Sequence, residues 1–180
     1  MNLPSFEPCT IWITGITASG KTTLGKSLFE FLIEKGVNPL EFLDGDEIRE
    51  SLNKNYGYSL KDRQKIVKNI VEIVKNKNKK GITTIVSTVS HKKAMRDYAR
   101  SQIPKFIEVY LECPNEVCAD RDYKGLYEKA KAGEYQTFPG VTEPYEPSEN
   151  PELILNTSQM SIDECSATLF KSILPLLGNT

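Results

Sequence analysis

A chain of 180 residues suits one domain, large enough to bury a core without metal or disulfide support. An apolar share of 39%, a charged share of 26% and a net charge of -1 give no sign of a nucleic-acid or membrane partner, so any affinity for anions has to be local. Cys9, Cys113, Cys118 and Cys165 lack a metal-site spacing and read as free, mostly buried thiols; the N-terminus has neither a basic region nor a long apolar run, and both features point to a cytoplasmic protein.

Cys9 to Thr14 reads as a short, nearly all-apolar strand of the kind buried on both faces of a parallel sheet. Gly15-Ile16-Thr17-Ala18-Ser19-Gly20-Lys21-Thr22-Thr23 follows it and fits the phosphate-binding P-loop, with Leu24, Leu28, Phe31 and Leu32 at helical spacing beyond. Glycines let the backbone wrap round phosphates, so that N–H groups and a helix N-terminus point at negative charge. The pattern makes Gly15, Ser19, Gly20, Lys21, Thr22 and Thr23 candidate ATP-binding residues. Lys21 is expected to reach the β- and γ-phosphates, and the Thr22 hydroxyl to be a ligand of the accompanying Mg2+. Leu40 to Leu43 forms a second strand and delivers Asp44-Gly45-Asp46 at its carboxyl end, where ligands bind in open α/β sheets. Asp46 is there either a catalytic acid or the N-cap of the helix that begins Glu47-Ile48-Arg49.

Lys61 to Lys80 carries Ile66, Val67, Ile70, Val71, Ile73 and Val74 at helical intervals, an amphipathic helix with a solvated lysine face. Ile82 to Val89 makes a third strand, His91 to Ser101 a helix, and Lys105 to Leu111 a fourth strand stopped by Pro114. His91, the only histidine, reads as a surface or capping residue or a substrate contact. From Cys118 to Pro151 charged and aromatic residues are broken by Gly and Pro with no apolar period, which suggests a mobile lid. Leu153 to Leu155 supplies a fifth strand, and Ser161-Ile162-Asp163-Glu164 is a capping box opening a last helix. The alternation predicts a three-layer α/β domain over residues 1–180, a mostly parallel sheet with helices on both faces.

Several stretches together resemble the adenylylsulfate kinases: Leu43-Asp44-Gly45-Asp46 with Arg49, Tyr56-Gly57-Tyr58-Ser59 with Asp62-Arg63, Phe106 to Tyr110, Arg121 to Tyr127, Lys129 to Glu134, and Phe138 with Pro144-Tyr145-Glu146. The resemblance implies a P-loop NTPase-type fold and transfer of the γ-phosphoryl group of ATP, with Mg2+, to the 3′-hydroxyl of adenosine 5′-phosphosulfate. It implies that Asp46 and Lys21 are catalytic, Asp46 accepting the proton of the attacking hydroxyl. Arg49 and Arg63 would hold the acceptor's 5′ anionic group, and Tyr58 and Phe138 would sandwich its base. Arg121 would lie near ATP in the lid, with Lys124, Gly125 and Leu126 on the acceptor side together with Asp44 and Ser90. Dimers are common among such kinases, so a homodimer is possible.

Departures from that pattern fall in one zone. Ile66 stands where an acceptor-binding amide is usual, Lys68 and Asn69 replace two arginines, His91-Lys92-Lys93 replaces Pro-Tyr-Arg, and Met95 replaces an Asp. Losing an amide removes hydrogen bonds, to which polar ligands are sensitive. Alternatives are therefore the same chemistry on another activated nucleotide such as cytidine 5′-diphosphoramidate, a small-metabolite kinase, and a non-catalytic nucleotide-binding regulator.

Overall fold

Five strands in the order β2-β3-β1-β4-β5 make the sheet on which the molecule is built, and every neighbouring pair runs parallel. The strands are β1 (Thr10–Thr14), β2 (Leu40–Asp44), β3 (Thr83–Thr88), β4 (Phe106–Glu112) and β5 (Leu153–Asn156). The structure, a computed structural model, describes residues 6–52 and 56–178. Residues 1–5, part of the N-terminal segment read above for a leader, lie outside them.

The strand side chains alternate between two helical layers. Ile11, Ile13, Ile85, Ile107, Val109 and Leu111 pack with Leu24, Leu28 and Leu32 of α1 (Lys21–Glu34) and with Cys165, Leu169 and Ile173 of α7 (Ile162–Leu177). Trp12 and Val86 point the other way, onto Ile66, Val67, Ile70 and Val74 of α3 (Leu60–Lys79) and Met95 and Ala99 of α4 (Lys93–Gln102). Both faces of the sheet are thus covered, which is why β1 reads as a continuous apolar run. Ser161 caps α7 through the predicted capping box, its hydroxyl accepting from Glu164 N while the Glu164 carboxylate accepts from Ser161 N, worth about 1 kcal/mol to the helix.

Two expectations are corrected, the cap of the helix after β2 and the lack of a core in the stretch after β4. The cap of α2 (Gly45–Ser51) is Asp44, whose Oδ1 accepts from Asp46 N at 2.9 Å, so the Asp46 carboxylate is not spent on its own helix. The stretch after β4 opens with a helix, α5 (Asn115–Arg121), and continues with α6 (Leu126–Lys131). It also has a core: Tyr127, Ala130 and Phe138 are buried with Ile16 and Cys118 in a third cluster, adjoining the P-loop. Single aromatics spaced irregularly through a Gly- and Pro-rich segment give no periodic signal, yet they suffice to bury it.

The far end of that segment is strapped to the sheet. Arg96, buried in α4, donates to Ser90 O and Glu146 O and lies 3.4 Å from the Glu108 carboxylate. Tyr145 stacks on Tyr110 with centroids 5.5 Å apart and shares a 2.6 Å hydrogen bond with the Thr14 hydroxyl. No described helix is long and apolar enough to cross a membrane.

Candidate active site

At the carboxyl ends of the strands the P-loop and α1 open onto a cavity of about 590 Å³. The loop turns tightly because Gly15 has no Cβ: one built there would lie 2.7 Å from Ser19 Oγ and 2.8 Å from Leu111 O. Gly20 takes φ +103° as the residue before α1, and no side chain caps that helix, so the N–H groups of its first turn are left for a ligand. The Ser19 hydroxyl is buried without a partner among the described residues. A concave loop with uncapped amides and an orphaned hydroxyl is built to receive phosphate oxygens.

Of the predicted ATP-side residues, Ser19, Gly20, Lys21, Thr22, Thr23 and Arg121 line the cavity, while Gly15 is buried beneath it. Lys21 Nζ donates to Ile16 O at 2.7 Å. Burial lowers its pKa to about 8, against the opposing pull of Asp46, Cys118 and Asp44. Arg121 donates to Thr157 O at 2.7 Å, and the Thr157 hydroxyl donates to Ser19 O at 2.9 Å, so the end of β5 braces the P-loop. Thr157, Met160, Ser161 and Ile162 are also part of the wall and were not found in the sequence as site residues. Ser161 carried a signal only as a helix cap.

Asp44 sits on the donor side. Its Oδ2 accepts from the Thr22 hydroxyl at 2.8 Å. No cluster of three or more His, Cys, Asp or Glu exists among the described residues. A hydroxyl with one carboxylate behind it suits Mg2+, which keeps most of its waters and takes its remaining oxygens from nucleotide phosphates.

Asp46 also lines the cavity, and its charge acts on both Lys21 and Arg63. Beyond it lies a second group of residues outside the cavity wall. The guanidinium carbons of Arg49 and Arg63 stand 4.8 Å and 5.5 Å from the Tyr58 ring centroid. Neither arginine has a carboxylate within 4.0 Å among the described residues; Arg49 donates to Gly57 O and Arg63 to Thr137 O. Burial, and then the neighbouring Arg49 charge, push Arg63 down to about 10. Two adjacent guanidiniums without a counter-ion mark a place for an anion.

The remaining acceptor-side expectations divide. Lys124 and Leu126 line the same cavity as the P-loop, while Gly125 forms the N-cap of α6 at φ +68° and does not. Ser90 is turned inward: it is buried, its hydroxyl hydrogen-bonds Trp12 Nε1 at 3.1 Å and Thr14 Oγ1 at 2.9 Å, and it is not presented to the cleft. Tyr58 and Phe138 do not face each other across an open slot. Tyr135 stands between them, its ring centroid 4.6 Å from Tyr58 and 5.6 Å from Phe138.

The departing residues are structural in this chain. Ile66 is buried in the core with Ile48, the Asn69 amide donates to the Tyr56 hydroxyl at 3.2 Å, and Lys68 Nζ lies 5.8 Å from the Tyr98 ring centroid. His91 is buried and pairs with Glu143 at 2.9 Å, burial lowering its pKa, and Lys92 lies 3.4 Å and 3.5 Å from Glu143 and Glu146. They pack the core and hold the strap, and none lines the cavity.

Residues 7–156 match the family model described as adenylylsulphate kinase. The chain is 42% identical over 164 residues to the adenylyl-sulfate kinase of Synechococcus sp. (strain JA-3-3Ab), covering 91% of this chain and 93% of that one. It is 39% identical over 172 residues to the adenylyl-sulfate kinase of Saccharomyces pastorianus, covering 93% and 85%. Its backbone resembles the structure of the Mycobacterium tuberculosis APS kinase CysC in complex with AMPPNP and APS, with a TM-score of 0.84 at 33% identity over 93% of this chain and 98% of that one.

Proposed function

The chain belongs to the adenylylsulphate kinase family and is an ATP-dependent kinase with the P-loop NTPase fold, and from that premise we propose that it phosphorylates the 3′-hydroxyl of adenosine 5′-phosphosulfate. Family membership with an intact P-loop removes the non-catalytic regulator. The observation that carries the acceptor reading is the Arg49–Arg63 couple beside aromatic rings, with no carboxylate within 4.0 Å among the described residues and with Arg63 inside the reach of the Asp46 charge that also acts on Lys21. An anion and an apolar base next to each other are what a nucleotide offers.

In this reading the P-loop amides and Lys21 hold the triphosphate, with Arg121 at the rim. Thr22 and Asp44 would hold Mg2+, whose charge would offset that of the nucleotide phosphates. Arg49 and Arg63 fix the acceptor's 5′ anionic group and so aim its 3′-hydroxyl at the γ-phosphorus. The new O–P bond forms as the bond to the β–γ bridging oxygen breaks, ADP leaves, and the hydroxyl proton passes to the Asp46 carboxylate. Lys124 and Leu126 close over the cavity, excluding the water that would otherwise take the phosphoryl group. Four free thiols suit a reducing cytoplasm.

Lys21 gives the reading a pH signature. With a pKa of about 8 in the protein alone, its ammonium is partly lost above that pH, and phosphate charge in the complex raises the value. Raising the pKa of a base on binding means proton uptake, so ATP affinity is full below pH 8 and falls as pH rises through the complex's higher pKa. Calorimetry of MgATP binding at pH 8.5 in buffers of different ionisation enthalpy should record that uptake, and Lys21→Met should abolish it. Binding with no buffer dependence would exclude the role.

The substrate test is an ADP-release assay with adenosine 5′-phosphosulfate and cytidine 5′-diphosphoramidate in parallel. Turnover with the adenosine compound at a rate far above the other is the expected result. The reverse order would remove the proposed acceptor and leave the kinase.

A further inference from the structure

We propose that Tyr135 gates the slot for the acceptor's base: its ring stands between Tyr58 and Phe138 and has to swing out before a base can be sandwiched there. The proposal rests on the nucleotide-acceptor reading and adds to it a residue that sets how tightly the acceptor is taken.

The Tyr135 ring meets Tyr58 edge-on, at 69° and 4.6 Å, and meets Phe138 at 32° and 5.6 Å. Tyr127 occupies another side of Phe138, at 72° and 5.1 Å. Phe138 is consequently only 4% exposed, although Tyr58 is 40% exposed. As it stands, Phe138 has almost no exposed surface to give a base, and Tyr135 is one of the rings that cover it.

What holds the ring is contact alone. Tyr135 makes no hydrogen bond, by backbone or side chain, among the described residues. Gly133, two positions before it, takes φ +82°, and residues 134–137 follow α6 without regular structure. The latch lies two positions after it: Arg63 donates from Nε and Nη2 to Thr137 O, at 3.2 Å and 2.6 Å. An anion arriving at Arg63 competes with Thr137 O for those same N–H groups. Charge recognition and release of the segment carrying Tyr135 are therefore linked, so that an acceptor with the right anionic group opens its own base slot. A bare base or a misplaced nucleotide meets a closed one.

A closed slot weakens binding in proportion to the fraction of molecules in which it is open. Aromatic contacts of this kind are strong enough to keep that fraction at roughly one tenth. Tyr135→Leu, which removes the ring and keeps an apolar side chain, should then lower the acceptor KM by about tenfold, with a far smaller change in kcat. Tyr135→Phe keeps the ring and should stay near the wild-type acceptor KM. A side chain that only packs the segment would lower the melting temperature of the Leu variant and leave its acceptor KM alone. An unchanged or raised acceptor KM in the Leu variant overturns the gate.

Soaking wild-type crystals with ADP and adenosine 5′-phosphosulfate gives a second reading that needs no variant. The ring displaced by the base supports the proposal; the ring still between Tyr58 and Phe138 with the acceptor bound overturns it. Absence of wild-type turnover would bring down the acceptor reading and the gate together. Normal turnover with no fall in the Leu variant's KM would bring down the gate alone.

Discussion

Asp46→Asn is expected to reduce kcat by about 10²- to 10⁴-fold while both nucleotides bind with nearly unchanged affinity. The amide keeps the shape of the side chain and removes its ability to take a proton. Two features make the substitution clean. Asp44, not Asp46, caps α2, so the helix start does not depend on the carboxylate that is changed. Asp46 is exposed and makes no side-chain hydrogen bond among the described residues, so little folding energy rides on it. Single-turnover kinetics separate the chemical step from product release, and isothermal calorimetry checks both affinities. Full transfer rate in a variant that binds normally would show that the proton leaves by another route.

Arg63→Ala is expected to raise the acceptor KM by roughly tenfold to a hundredfold, the loss of a charge-assisted hydrogen bond to an anion, and to leave the ATP KM within about twofold. Arg63→Lys should not restore it, because an ammonium cannot present the planar pair of N–H groups that the guanidinium offers. The variant also frees Thr137 O from its two donors, so its melting temperature has to be recorded beside the kinetics. A change in ATP KM matching the change in acceptor KM would mean that the substitution disturbs the whole cleft rather than one ligand.

Much of the donor half was legible in the sequence because its signals are local. Gly15, Gly20, Lys21 and Thr22 are fixed by the loop's own turn and by the start of α1, and both are written in consecutive residues. Strand and helix order followed from apolar runs and from the stripe Ile66, Val67, Ile70, Val71, Ile73 and Val74, all buried except Ile73, which is half-buried. The acceptor half was less legible because it is assembled over long separations. Tyr135 reaches Tyr58 from another part of the chain, and nothing near either residue announces the meeting. The Tyr127 hydroxyl, which donates to Thr17 O at 2.8 Å, ties α6 to the P-loop in the same unannounced way.

Position at a strand's carboxyl end proved a weaker guide than it looked. Ser90 lies just past β3, where a ligand contact is expected, yet its hydroxyl turns inward to Trp12 and Thr14. The substitutions that suggested a different acceptor told the same lesson from the other side. Ile66 left the register of cleft residues by joining the core, and His91 left it by pairing with Glu143. Sequence position places a residue on an element; the partner it finds decides whether it faces the ligand.

The most direct test of the central claim is phosphorus NMR of the purified protein with MgATP and adenosine 5′-phosphosulfate. The account predicts ADP and, in equal amount, a new phosphomonoester whose phosphorus couples to the ribose 3′ proton, with the sulfate-bearing 5′ phosphorus retained. ATP converted to ADP and free phosphate, with no phosphomonoester on the nucleotide, would contradict it.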